Sequence, residues 1–325
     1  VIDIDPSIYR KFPFLYRNSI TAEQFREQMR HLKAHYRILD ASQLQEVLAK
    51  RRPIERATVI TFDDGLLNNA TVTWPILREM RLPGFFFLPT GFVDRASRGR
   101  PTVYWTEEIA ARILAEPSQQ ERRWKSLIQL VPELRGQMEE RSYSSALEPV
   151  IAFLKSLPDA QLQRRLEWIK EELPAPPDLA LFPADRSGGS ILATMTWDQA
   201  KAMADSGMEI GAHSVNHAIL TRISREEAER EIVQSFRAIE KQLSRPCRYF
   251  AYPNGMARDF APAHQQLLAE TGLLGAFTQL PGFNGIGTNP FALHRINIPA
   301  NCGPNLFQYR LSGMAHRVEA FRTRN

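Results

Sequence analysis

The chain has 325 residues, 43% hydrophobic and 24% charged, which places it among globular proteins with one large or two small α/β domains. No run approaches the roughly 18 apolar residues of a membrane helix, and the most apolar stretch, around Phe86, is strand-sized and sits between Pro83 and Pro89. The net charge of +5 comes from Arg and Lys interspersed with Glu, a solvated mixed surface with no base-reading motif, so no nucleic-acid partner is expected.

Two cysteines, Cys247 and Cys302, are too few for a disulfide framework or a zinc ribbon and read as core or incidental thiols. The sequence opens at Val1 and shows no basic-then-apolar leader. The expected compartment is the cytoplasm or the inner face of the envelope, or the outside if a leader was removed.

In chain order, YRIL at Tyr36 predicts a strand, and Ser42 with Gln45 predicts a capping box for the helix after it. TVITF at Thr58 is the next strand, Leu66 to Met80 reads as helix, and GFFFL follows as strand. Between 97 and 194 the rhythm breaks. EEIAARILAE, ALEPVIAFLKSL and QLQRRLEWIKEEL are helix-like without an obvious strand, and the irregular PAPPDLALFPADRSGG follows them. We expect one domain over 1–325 with 97–194 as a mostly helical insertion, a cap. MEIGA, RYFAY, LGAFT and FALHRINI are the later strands. The helix after His217 is the clearest: Ser224 and Glu227 form a capping box, and Ala228, Ile232, Phe236, Ile239 and Leu243 recur at three- and four-residue spacing. Alternating strands and helices predict an α/β fold on a parallel sheet.

TVITF runs directly into Asp63-Asp64-Gly65, two carboxylates at the C-terminal end of a buried strand, where α/β sheets place their sites. The structural alternative is an Asp-Gly turn in which one aspartate caps the next helix. MEIGA runs likewise into His213-Ser214-Val215-Asn216-His217, and two imidazoles four apart share one face if the segment is a helical turn. Two imidazoles and a carboxylate would leave open positions on a divalent ion for water and a substrate oxygen. Adjacent carboxylates then suit two tasks, Asp64 on the metal and Asp63 as general base.

TFDDG followed far downstream by HSVNH resembles the polysaccharide deacetylases, the NodB-like carbohydrate esterases, whose first motif is T-F-D-D-G and second H-[ST]-x-x-H. The stretches PILREMRLPGFFFLPTGFV and FAYPNG resemble the subgroup associated with bacterial exopolysaccharide and surface-glycan synthesis. The resemblance implies a distorted (β/α) barrel and one divalent metal, Zn2+ first, with Co2+, Ni2+, Mn2+ or Fe2+ as alternatives. It also implies release of acetate from an N-acetylhexosamine-containing glycan. By the same resemblance Asp63 is the base, and Asp64, His213 and His217 are the ligands.

The chain departs from the family's third motif, Arg-x-Pro-aromatic. Aligned on Pro253, the arginine place falls on Ala251 and the aromatic place on Asn254. The backbone N–H of Asn254 is then the oxyanion candidate, with Tyr252 beside it on the substrate side. For the fifth motif, Leu-x-His, Phe291 to Arg295 is the candidate: His294 as general acid, and Arg295 in place of the missing arginine beside Asp63. A backbone-satisfied strand histidine is the alternative for His294. Two other readings are a glycan-binding module with impaired catalysis and a two-His, one-carboxylate Fe(II) oxygenase.

Overall fold

The computed structural model describes residues 19–50, 54–100, 102–114, 120–134, 143–173, 193–300 and 302–313. Helix α1, Ala22–His35, opens on a capping box between Thr21 and Gln24. Strand β1, Arg37–Ile38, pairs in parallel with β2, Ala57–Thr58, around helix α2, Ala41–Lys50. The cap of α2 lies two residues earlier than expected. Asp40 and Gln43 exchange the bonds, Gln43 N–H to Asp40 Oδ1 at 2.9 Å and Asp40 N–H to Gln43 Oε1 at 3.1 Å. A carboxylate cap leaves Ser42 inside the first turn.

The TVITF run is split between two sheets, because after β2 the chain steps across and Thr61–Phe62 becomes β3 beside a different partner. The helix expected from Leu66 starts as a wide π-type turn, Asn69–Thr73, and becomes regular only as α3, Trp74–Met80. Strand β4, Phe85–Leu88, and helix α4, Thr90–Ser97, follow.

Among the described residues the next α-helices are α5, Trp105–Leu114; α6, Gln120–Leu130; α7, Tyr143–Ser156; and α8, Asp159–Glu172. Residues 103–173 form a compact unit with its own core around Leu127, Val150, Leu154 and Ile169. Its buried Arg112 is satisfied by Glu108 and by the carbonyls of Lys170 and Leu173. The irregular stretch 174–189 lies outside the described residues.

Helix α9, Trp197–Asp205, returns to the first unit, followed by β5, Glu209–Ala212, and α10, Arg225–Leu243. Ser224 and Glu227 form the expected capping box, and Ala228, Ile232, Phe236, Ile239 and Leu243 are buried. Then come β6, Tyr249–Ala251; α11, Pro262–Glu270; β7, Gly275–Pro281; β8, Leu293–Arg295; and α12, Pro304–Leu311. The predicted strand FALHRINI shrinks to three residues, since Pro290 starts a single 3-10 turn. Among the described residues no helix is long and apolar enough to cross a membrane.

β3 to β8 form one parallel sheet in chain order, each strand hydrogen-bonded to its successor, and the sheet curls into a half-barrel. Strand alternation gives it two apolar faces. Phe85, Phe87, Tyr249, Ala251, Phe277 and Leu293 fill the inner face. Phe86, Leu88, Ile210, Ala212, Phe250 and Tyr252 pack outward with the helices. The inner face is crowded with rings: a Cβ on Gly211 would lie 2.5 Å from the Phe87 ring and 2.8 Å from the Tyr249 carbonyl, so β5 carries glycine there. Cys247 and Cys302 are buried and unbridged, as read from their spacing.

Candidate active site

Alternation also aims the site. In β3, Phe62 faces the helices and stacks on Phe86 with ring centroids 4.8 Å apart, so Thr61 and Asp63 face inward. Asp64 would by parity turn outward, but its φ of 76° is left-handed and brings its carboxylate back. In β5, Ile210 and Ala212 face the helices, and the inward series of Gly211 continues into His213. Two strand ends therefore deliver their side chains to one mouth of the half-barrel.

Asp64, His213 and His217 each offer one ligand atom, and these lie within 4.8 Å of one another. Asp64 Oδ1 stands 3.5 Å from His213 Nε2 and 3.3 Å from His217 Nε2. His213 is buried, and its Nδ1 is 2.7 Å from the Ala251 carbonyl. Nδ1–H donates there, which leaves Nε2 as the nitrogen turned to Asp64. Burial works against charge on His213, but the bond to Asp64 and the nearby Asp63 charge outweigh it and raise its pKa. Burial likewise opposes ionisation of Asp64, yet the two imidazoles hold its carboxyl well below the usual range. The residues fit a divalent cation: a carboxylate oxygen and two imidazole nitrogens converge, with Asp64–His spacings close to the roughly 3.4 Å edges expected around a tetrahedral metal with ~2.1 Å bonds.

The histidine pair does not sit on a helical turn. His213 ends the β5 run, Ser214 and His217 have left-handed φ of 59° and 57°, and the segment is an irregular loop.

Asp63 has different company. The Arg295 guanidinium grips it in bidentate fashion, and Gln279 Nε2 donates to its Oδ2 at 3.1 Å. Arg295 also donates from Nε to the Thr278 carbonyl at 2.6 Å. Burial raises the Asp63 pKa, while Arg295 and then His213 pull it down, leaving a net depression. Gln279 escaped the sequence reading. Its only signal was parity with Phe277 on β7.

Tyr252 does not belong to the substrate side. It continues the outward series of Phe250, is fully buried, stacks on Phe260 at 4.3 Å, and donates its hydroxyl to the Phe291 carbonyl at 2.9 Å. Asn254 has a left-handed φ of 57° in a turn pinned by Gln279 N–H to the Gly255 carbonyl at 2.8 Å. His294 is not brought to the aspartates. It faces away from Arg295 by strand parity, its backbone is held on both sides by Asn284, and its ring lies beside Gly282.

A family profile described as polysaccharide deacetylase matches residues 162–274, which include the histidine loop. Over that span the chain is similar to polysaccharide deacetylases. Its half-barrel is the NodB-like fold, shared at low identity with solved structures. The Streptococcus pyogenes deacetylase PplD, in complex with acetate, superposes with a TM-score of 0.56 at 17% identity, covering 94% of this chain and 92% of that one. IcaB from Ammonifex degensii gives 0.51 at 16%, covering 90% of each chain. A de-N-acetylase from Aggregatibacter actinomycetemcomitans gives 0.53 at 15%, also covering 90% of each. A search of curated proteins gives no significant match. Asp63, Asp64 and Arg295 lie outside the matched span and join the histidines only through the fold.

Proposed function

We propose that this deacetylase domain hydrolyses N-acetyl groups of an N-acetylhexosamine-containing glycan, releasing acetate, with Asp64, His213 and His217 holding Zn2+. One observation carries the reading: two adjacent carboxylates have opposite partners, imidazoles for Asp64 and a guanidinium with an amide for Asp63. A divalent ion supplies Lewis acidity there, polarising an acyl oxygen and lowering the pKa of water.

The remaining work falls to the chain's own groups. Asp63 is the proton acceptor. Its Oδ2 takes bonds from both Arg295 and Gln279, whereas Oδ1 takes one from Arg295, so Oδ1 keeps a lone pair for the water proton. Arg295 fixes the direction of that lone pair and keeps the carboxylate ionised. The Asn254 backbone N–H is the proposed partner of the oxyanion that forms on the attacked carbonyl. Protonation of the leaving amine falls to Asp63 after it has taken the water proton, since His294 faces elsewhere.

Arg295 on Asp63 supplies the guanidinium that the third motif lacks, which supports a working enzyme over an impaired binding module. An all-parallel half-barrel speaks against the oxygenase reading. The test is acetate release from N-acetylglucosamine oligomers by the Zn2+-loaded chain. We expect turnover that a chelator abolishes and Zn2+ restores. Turnover indifferent to chelation, or none on any N-acetylated glycan, contradicts the proposal.

A further inference from the structure

We propose that Glu231 is a positioning residue that sets the histidine loop from outside, and so fixes where His217 presents its imidazole. The inference rests on the reading of that loop as a metal-holding segment. Glu231 lies on α10, the helix that follows the histidine loop, and outside both motifs. Its Oε2 accepts from the backbone N–H of Val215 and of Asn216, each at 2.8 Å, and its Oε1 accepts from Asn216 Nδ2 at 2.8 Å. Three donors converge on one carboxylate.

The same loop is held from the other side by the start of α4. Thr90 N–H donates to the Ser214 carbonyl at 3.1 Å, and Gly91 N–H to the Val215 carbonyl at 2.8 Å. That approach is close enough that a Cβ on residue 91 would sit 2.9 Å from the Val215 oxygen, which is why glycine stands there. Two helices thus hold the loop by its peptide groups, α4 taking its carbonyls and α10 its amides.

The loop needs holding. Ser214 and His217 occupy the left-handed region with side chains attached, a conformation disfavoured unless the surroundings impose it. His213 is fixed separately, by its backbone N–H to the Leu88 carbonyl at 3.0 Å and by its ring to Ala251. His217 lies beyond the three residues that Glu231, Thr90 and Gly91 grip, so its direction is set by theirs. A carboxylate accepts all three bonds at once while the Asn216 Oδ1 stays turned to Arg95. Glutamine offers one acceptor oxygen, and its NH2 would meet an N–H donor from the loop. Neither T-F-D-D-G nor H-S-x-x-H contains this residue. It acts through the backbone of the variable positions of the second motif, Val215 and Asn216.

The test compares Glu231→Gln with Ser224→Ala, which removes the cap of the same helix without touching the loop. Three quantities are read: Zn2+ affinity by chelator competition, the visible spectrum of the Co2+-substituted chain, and hydrogen exchange at the Val215 and Asn216 amides in the metal-free chain. We expect Glu231→Gln to lower Zn2+ affinity by about 10- to 100-fold, as for other residues behind metal ligands. It should also shift the Co2+ bands and speed exchange at both amides. Ser224→Ala should lower the Tm and leave all three unchanged. Wild-type affinity and wild-type protection in Glu231→Gln overturn the proposal, as does an equal affinity loss in Ser224→Ala. If the wild-type chain binds no Zn2+ while Glu231→Gln still exposes the amides, the metal reading fails and the hold on the loop stands.

Discussion

Arg295 lies flat against Asp63 across 232 positions of sequence, NH1 2.8 Å from Oδ1 and NH2 2.7 Å from Oδ2, with both side chains largely buried. A planar fork matched to a carboxylate is a bidentate pair that lysine does not reproduce. Because Arg295 holds the Asp63 carboxyl down, its loss raises that pKa and leaves less ionised base at low pH. Arg295→Lys and Arg295→Ala should both lower kcat by about 10-fold or more and move the acidic limb of kcat/KM to higher pH. A pH–rate profile coinciding with wild type rules this pairing out of the reaction.

His294 faces away from Arg295 and lies beside Gly282. His294→Ala should therefore leave kcat and its pH dependence at wild-type values in an acetate-release assay. A lost basic limb in that variant would return the histidine to the reaction.

Tyr252 is a core residue whose hydroxyl satisfies a backbone carbonyl. Tyr252→Phe should cost about 1 kcal/mol of stability, seen in urea unfolding, with KM unchanged. Raised KM at unchanged stability would put the ring back on the substrate side.

Glu209 supplies a pH dependence of stability. It is largely buried at the start of β5, and burial pushes its carboxyl up to about 7 from an ordinary 4.5, against Arg248 at 3.3 Å. Between those values the folded chain keeps a proton that the unfolded chain has lost. The contribution is thus fully present below about 4.5 and lost as pH rises through about 7. Wild type minus Glu209→Gln should show this difference, about 1–3 kcal/mol between pH 5 and pH 8, in urea unfolding at both values. Parallel stabilities of the two chains across that range contradict it.

Fold and site differ in how far they were legible. The parallel α/β order was readable because β-branched and aromatic runs alternate with amphipathic helices, most clearly in α10. The two motifs were readable because each is local, a strand followed at once by its polar residues. What failed was direction. Ser42 and Gln45 have the spacing of a capping box, but so do Asp40 and Gln43, and the structure uses the second pair. Tyr252 is near Asn254 in sequence, but parity with Phe250 decides where its ring goes. The left-handed φ values at Asp64, Ser214 and His217 leave no sequence signature, since none of the three is glycine. Gln279 and Glu231 were out of reach because their contacts join separate strands, helices and loops through the fold.

The most direct measurement of the central claim, that neighbouring aspartates do separate work, is Zn2+ content and acetate release in Asp63→Asn and Asp64→Asn side by side. The account predicts that Asp63→Asn keeps one Zn2+ per chain and loses turnover, while Asp64→Asn loses both. Equal Zn2+ loss in the two variants, or turnover surviving in Asp63→Asn, contradicts it.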